Sequence, residues 1–165
     1  MTASTVTTID LTDPANPADV AASPVVVLVF RGADGDQTLD TADLEHAVAH
    51  PLLSAFSAVQ HHWPSITETH GRGRVVVLAP ASAALGDPLR PLDCAVTGAL
   101  ISFVRSVAIE LQRHGGAANA IFFDTDPNEP AVTELIATVT AEHATAVTGQ
   151  EIYAANGADL GRLHP

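Results

Sequence analysis

The chain of 165 residues contains no lysine. Its seven basic residues are all arginine: Arg31, Arg72, Arg74, Arg90, Arg105, Arg113 and Arg162. That absence excludes Schiff-base chemistry, a phosphate-loop lysine and any lysine-assisted proton relay within the chain. Cysteine is almost as scarce. A lone Cys94 excludes an internal disulfide framework and a cysteine-based zinc cage. Aromatic residues make up 4% of the chain, with one tyrosine, Tyr153, and one tryptophan, Trp63. A net charge of -12, without a basic patch among stacking aromatics, does not suit nucleic acid. No apolar run approaches the roughly 20 residues of a membrane span. The opening MTASTVTTID has neither the basic nor the apolar region of a secretion signal, so the expected setting is the cytoplasm.

Hydrophobic residues reach 47% and charged residues only 16%. That balance predicts one packed domain over residues 1–165, not a disordered acidic chain. Charge is uneven along it: residues 1–62 carry -7, 63–114 carry +1 and 115–165 carry -6. The acidic flanks read most simply as a solvated shell, and alternatively as a surface for a more basic partner.

Val6 to Leu11 reads as a short strand. Val25 to Phe30, VVVLVF, is an unbroken apolar run of the kind buried on both faces of a parallel sheet. Gly32 to Asp40 is loop. Thr41 is a candidate N-cap for a helix in which Leu44, Val48, Leu52, Phe56 and Val59 recur at helical spacing. Pro51 predicts a kink or early break, and His61-His62-Trp63-Pro64 a helix end. Arg74 to Leu78 is a second buried strand, followed by a long loop from Pro80 to Pro91. Asp93 to Arg113 is a helix apolar nearly all round, ended by Gly115-Gly116. Asn119 to Phe123, Thr133 to Thr140 and Glu151 to Ala155 follow as strand, helix and strand. The alternation predicts a three-layer α/β fold, Rossmann-like, with right-handed crossovers.

Residues 73–123 carry a more specific pattern. Phe103, Arg105, Ser106, Ala108, Glu110, Leu111, Asn119, Ala120 and Ile121 match the run Phe-x-Arg-Ser-Leu-Ala-x-Glu-Leu followed by Val-Asn-Ala-Ile. Thr148-Gly149-Gln150-Glu151-Ile152, with Asn156-Gly157, resembles a final strand T-G-x-x-I-x-V-x-G-G. Together these resemble the second half of a short-chain dehydrogenase/reductase. Residues 25–63 resemble the family's fourth strand and helix more loosely, and residues 6–13 the Asp-x-Thr-Asp end of its third strand. The resemblance implies a parallel sheet lacking the N-terminal βαβ nucleotide-binding unit, since only 24 residues precede VVVLVF.

The same resemblance removes the chemistry. The family's catalytic serine falls on Pro80, its tyrosine on Asp93 and its lysine on Thr97. Hydride transfer by that mechanism needs a phenol of lowered pKa beside an ammonium. The Asn-Asn-Ala-Gly motif reads Phe30-Arg31-Gly32-Ala33, and the Pro-Gly after the sixth strand reads Phe123-Asp124. The implication is a degenerate member, binding no dinucleotide and no other cofactor.

Other constellations are weaker. His46 and His50, four apart beside Asp43 and Glu45, form half of a possible metal site, with His61, His62 and His70 as further ligands. The simpler reading is an exposed helix face, so no metal is expected. Asp93 reads as a helix N-cap, or as a general base beside the old substrate cleft. Ser82 has no His or Asp at a useful spacing.

Two helices, 41–62 and 93–114, match those through which the family assembles. The expected interface is Leu52, Phe56, Ala95, Ala99, Ser102, Phe103 and Ser106. The leading expectation is a non-catalytic subunit that joins an intact short-chain dehydrogenase/reductase. The alternatives are a homodimeric binding module, or a cofactor-independent isomerase, dehydratase or cyclase using the cleft near Asp93. The lysine-poor, Ala- and Arg-rich composition suggests a high-GC bacterial genome.

Overall fold

The computed structural model describes residues 6–13, 20–38, 44–69 and 71–154. Five strands form one sheet in sequence order: β1 (Val6–Asp10), β2 (Val25–Val29), β3 (Arg74–Pro80), β4 (Ala117–Phe123) and β5 (Glu151–Ala154). Every pairing is parallel, with Val25 against Arg74 and Arg74 against Ala117 setting the central register. The helices are α1 (His50–Thr67), α2 (Ala81–Leu85), α3 (Pro91–Gln112) and α4 (Pro130–Thr140). Thr41, Asp43, His70, Ala155, Asn156 and Gly157, singled out above, lie outside the described residues.

The continuous apolar runs are strands because both sheet faces are covered. Side chains alternate across the sheet. Val26, Leu28, Phe30, Val75, Val77, Ala118, Ala120 and Phe122 meet α1 and α3 on one face. Val27, Val29, Val76, Leu78, Ile121 and Phe123 meet Val132, Leu135, Ile136 and Val139 of α4 on the other. Strand order advances in one direction throughout. The β4–α4–β5 connection therefore has the opposite hand to the two before it. The expectation of uniformly right-handed crossovers fails there, against the strong general preference.

Position also corrects the third-strand resemblance of residues 6–13. In a doubly wound sheet of order 3-2-1-4-5-6, the third strand is not a neighbour of the fourth. Here β1 pairs directly with β2, which is the place of a first strand. What the 14 residues between β1 and β2 cannot supply is the intervening strands and their helices.

The prolines act differently from their local rules. A π-helical turn, Glu45–Ala49, precedes α1. Pro51 has no N–H to continue a regular ladder, and the His50 N–H reaches back to the Glu45 carbonyl instead. Pro64 lies inside α1, which runs on to Thr67 rather than ending near His62. The carbonyl it leaves unbonded belongs to exposed Gln60, and burial of Ile66 holds the following turn in place. Gly73 closes this corner, because a Cβ there would lie 2.2 Å from the Ile66 carbonyl oxygen. The stretch 80–91, read as loop, contains α2.

Helix α3 is long and apolar enough to cross a membrane by length and composition alone. In this fold it is a core helix. Val96, Leu100, Val104, Val107 and Leu111 pack on the sheet.

Arg74 ties the two layers at the amino end of the sheet. It is almost completely buried, and its two terminal nitrogens donate to the carbonyls of Gly71, Gly73, Ala141 and Glu142 at 2.8–3.2 Å. The last two cap α4, where a cation meets the negative end of the helix dipole. Burial lowers the guanidinium pKa, and the Glu142 charge partly offsets this.

Candidate functional site

Open α/β sheets bind ligands at the carboxyl ends of their strands. In this chain that edge is filled by the protein's own side chains. At the end of β1, Asp10 accepts from the Thr12 N–H and hydroxyl and forms a 2.9 Å ion pair with Arg31. Burial raises the Asp10 pKa, but these bonds from Thr12 and Arg31 outweigh it and hold the carboxyl below its ordinary value. At the end of β2, Gly32 takes a φ of 75° and turns the chain toward the start of α3. A side chain there would be strained, and its Cβ would sit 2.6 Å from an Asp93 carboxylate oxygen.

Asp93 is the centre of this closure. It is buried, at 3% exposure. Its carboxylate accepts the Ala33 N–H at 3.2–3.3 Å and the Gln37 amide at 2.7 Å, with Arg90 at 3.6 Å. Gln37 returns its own oxygen to the N–H groups of Leu92 and Asp93, capping α3 from 55 residues away. Arg90 also donates to the Ala33 carbonyl. The N-cap position belongs to Arg90, with Pro91 opening the helix, so the reading of Asp93 as N-cap is corrected. Asp93 stands in the first turn and pins the β2–α1 loop. Two donors and a nearby guanidinium hold the carboxylate in place, which gives it a structural task apart from any chemistry.

Pro80 ends β3 and is buried, and Thr97 stands one turn beyond Asp93 on the same helix. The Thr97 hydroxyl is buried without a hydrogen-bond partner among the described residues. Pro80 thus lies on β3 and Asp93 and Thr97 on α3, and none offers a phenol or an ammonium. A cavity of about 170 Å³ remains beside Asp93, lined also by Thr12, Phe30, Gln37, His46 and His50 among others. That is below the ~300–1,000 Å³ of ordinary small-molecule pockets.

His46 and His50 stack at 5.8 Å between ring centroids. Among the described residues, no group of three or more His, Cys, Asp or Glu side chains is arranged to hold a metal ion. His61 and His62 point to the β1–β2 connection rather than to His46 and His50.

The larger hollow lies elsewhere, between α1 and α3. It measures about 570 Å³ and is lined by Leu52, Phe56, Trp63, Ala99, Ser102, Phe103, Ser106, Val107 and Glu110. The Phe56 and Phe103 rings meet there at a tilt of 54°, their centroids 4.6 Å apart. Phe56 is 59% exposed, Leu53 65% and Ile109 66%. Ala95 and Gly98 continue the open face of α3. Of the seven residues expected at an interface, six line this hollow and Ala95 lies outside it. Gln37 and Arg74, which the sequence reading did not single out, carry the closure and the layer tie.

No protein-family model and no curated protein sequence matches the chain. Solved structures do. The class the fold defines is a Rossmann-like α/β protein. One similar structure is a 4-hydroxyisoleucine dehydrogenase complexed with NADH and succinate. It has a TM-score of 0.64 and 17% identity over 77% of this chain. The chain spans only 65% of that protein's length. Another is a blue fluorescent protein from a metagenomic library, in complex with NADPH, with a TM-score of 0.69 and 21% identity. That match covers 90% of this chain and 73% of the other. At these identities the likeness is one of fold.

Proposed function

We propose that the chain is a non-catalytic subunit that docks, through α1 and α3, onto the matching helix pair of an intact short-chain dehydrogenase/reductase. The observation that carries this reading is the hollow between those helices. It is large, apolar and open, and one charged residue, Glu110, is in its lining. Interface cores are depleted of charge and enriched in aromatic residues, as Phe56, Trp63 and Phe103 are here. The reading gains support from Gly98. A Cβ at that position would have no atom within 4 Å, so nothing among the described residues requires glycine. Glycine inside a helix costs about 1 kcal/mol relative to alanine, and close approach of a partner helix explains it.

The carboxyl edge of the sheet supports the non-catalytic part. Asp10 places negative charge at the end of β1, where a pyrophosphate would lie, and the 14 residues between β1 and β2 contain no glycine for a phosphate-binding turn. Cofactor and reaction centre would come from the partner. On this reading the assembly belongs to the bacterial cytoplasm. The alternative, a binding module or repurposed enzyme using the cleft at Asp93, draws less support, because that cavity is small and Asp93 is engaged by Ala33 and Gln37.

Native mass spectrometry of the tagged chain purified from its own host tests the proposal. The expected result is a stoichiometric second chain of about 25–30 kDa, carrying a nicotinamide cofactor. Ala99→Arg should abolish that association, since an unpaired charge in an apolar interface costs about 3–5 kcal/mol, or at least a hundredfold in Kd. Trp63, the sole tryptophan, lines the hollow and reports docking by its fluorescence. A homodimer with no second chain, or NADH or NADPH bound by the isolated chain, overturns the reading.

A further inference from the structure

Three histidines of α1 face the described ends of the connection between β1 and β2. The His50 Nε2 lies 3.4 Å from the Asp13 carbonyl, and the His61 Nε2 lies 2.9 Å from the Val20 carbonyl. A carbonyl only accepts, so each of these nitrogens carries a proton. His62 has the reverse chemistry. Its Nδ1 lies 2.8 Å from the Ser23 backbone nitrogen. An N–H only donates, so this Nδ1 must present a lone pair and the ring must be neutral.

We infer that His62 is an acid-labile latch on residues 20–24, the segment that enters β2. Protonation leaves the His50 and His61 bonds intact, because a charged imidazole still donates. At His62 it sets an N–H against the Ser23 N–H, replacing a bond by two facing donors. The ring is fully buried, and its Nε2 has no partner among the described residues that would stabilise a charge. Segment 20–24 carries no ionisable side chain, and β2 is wholly apolar. On α1 the neighbours are His61, edge-on at 4.9 Å, and Glu68 beyond the helix end. The π-helical turn carries Glu45 and His46 more than a dozen residues up the chain. On α3, Asp93 is tied to Ala33 and Gln37, Arg105 to Glu151, and Glu110 lines the hollow. Burial, and then the His61 charge, lower the His62 pKa from its ordinary value. The folded site therefore binds its proton less readily than a released one.

The sign follows. The latch holds above the released pKa of about 6.5 and weakens as pH falls below it. The tie at Ser23 joins the amino end of β2, so its release frees the base of the β1–β2 pair. The tie at Asp13 persists.

Amide hydrogen exchange from pH 8 to pH 5, corrected for intrinsic rates, tests the latch on the whole chain. Protection at Ser23 should fall by roughly tenfold per pH unit below about 6.5, the slope of a one-proton opening. Amides of β3 and β4 should hold. In His62→Gln the slope should vanish, and in His61→Gln it should remain. Flat Ser23 protection in the unaltered chain overturns the inference, as does an unchanged slope in His62→Gln. Should His62→Gln fail to fold, the imidazole nitrogen resonances of the unaltered chain decide. A neutral ring with its proton on Nε2 at pH 7 supports the latch, and a charged ring or a proton on Nδ1 refutes it.

Discussion

Replacing Asp93 by alanine separates a structural carboxylate from a chemical one. The substitution leaves the Ala33 N–H and the Gln37 amide without an acceptor. A buried donor left unsatisfied costs about 1–3 kcal/mol, and the lower half of that range applies here because Ala33 is exposed and Gln37 half-buried. The Arg90 pair adds less than about 1 kcal/mol, because Arg90 is one-third exposed and the separation is 3.6 Å. The expected loss is about 2–4 kcal/mol. For a domain of this size that lowers Tm by roughly 4–16 °C. Calorimetry with urea titration reads it, and a double-mutant cycle with Gln37→Ala should give a coupling of about 1 kcal/mol or more. A carboxylate held in place for catalysis has the opposite signature, since removing such groups commonly stabilises. Stability unchanged within about 0.5 kcal/mol, or increased, would refute the reading of Asp93 as the pin of the β2–α1 loop.

Two further substitutions probe other parts of the fold. Arg74→Ala strands four carbonyls and uncaps α4. It should cost on the order of 3 kcal/mol in urea unfolding, while Arg74→Lys recovers part of this because an ammonium cannot span both carbonyl pairs. Gly98→Ala should raise the Tm of the isolated chain by about 2–4 °C, since the Cβ enters open space, and weaken association with the partner. Association that is unchanged would remove Gly98 from the proposed contact.

The centre of the sheet was legible because β2 and β3 carry continuous β-branched runs, a pattern that burial on both faces produces. The hand of the last crossover was not. Val132, Leu135, Ile136 and Val139 make the same amphipathic stripe whichever face of the sheet they meet. Pro51 and Pro64 show a local rule overridden in two ways, once by a wider helical turn and once by the burial of Ile66 beyond it. At the site, the resemblance led to Asp93, but its role was set by Gln37, 56 residues away in a loop without periodicity. Arg74 opens a strand that was legible, while its partners at Ala141 and Glu142 lie 67 and 68 residues on. Side chains whose partners are distant in sequence leave no trace in spacing.

The lone position of α4 has a consequence for the order of assembly. β2, α1, β3, α3 and β4 follow one another in the chain, and each packs on the one before it across a single sheet face. They can condense progressively with short loop closures. Among the described residues α4 is the one helix on the opposite face, and its docking must await a sheet already broad enough to receive it. β5 is reached only through α4. The two should therefore form a late and separately opening unit, with amides that exchange together while the centre of the sheet stays closed. Arg74 at the amino end of β3 is then the clasp that completes folding, engaging the carbonyls of Ala141 and Glu142 just past the end of α4 after the rest of the domain is in place.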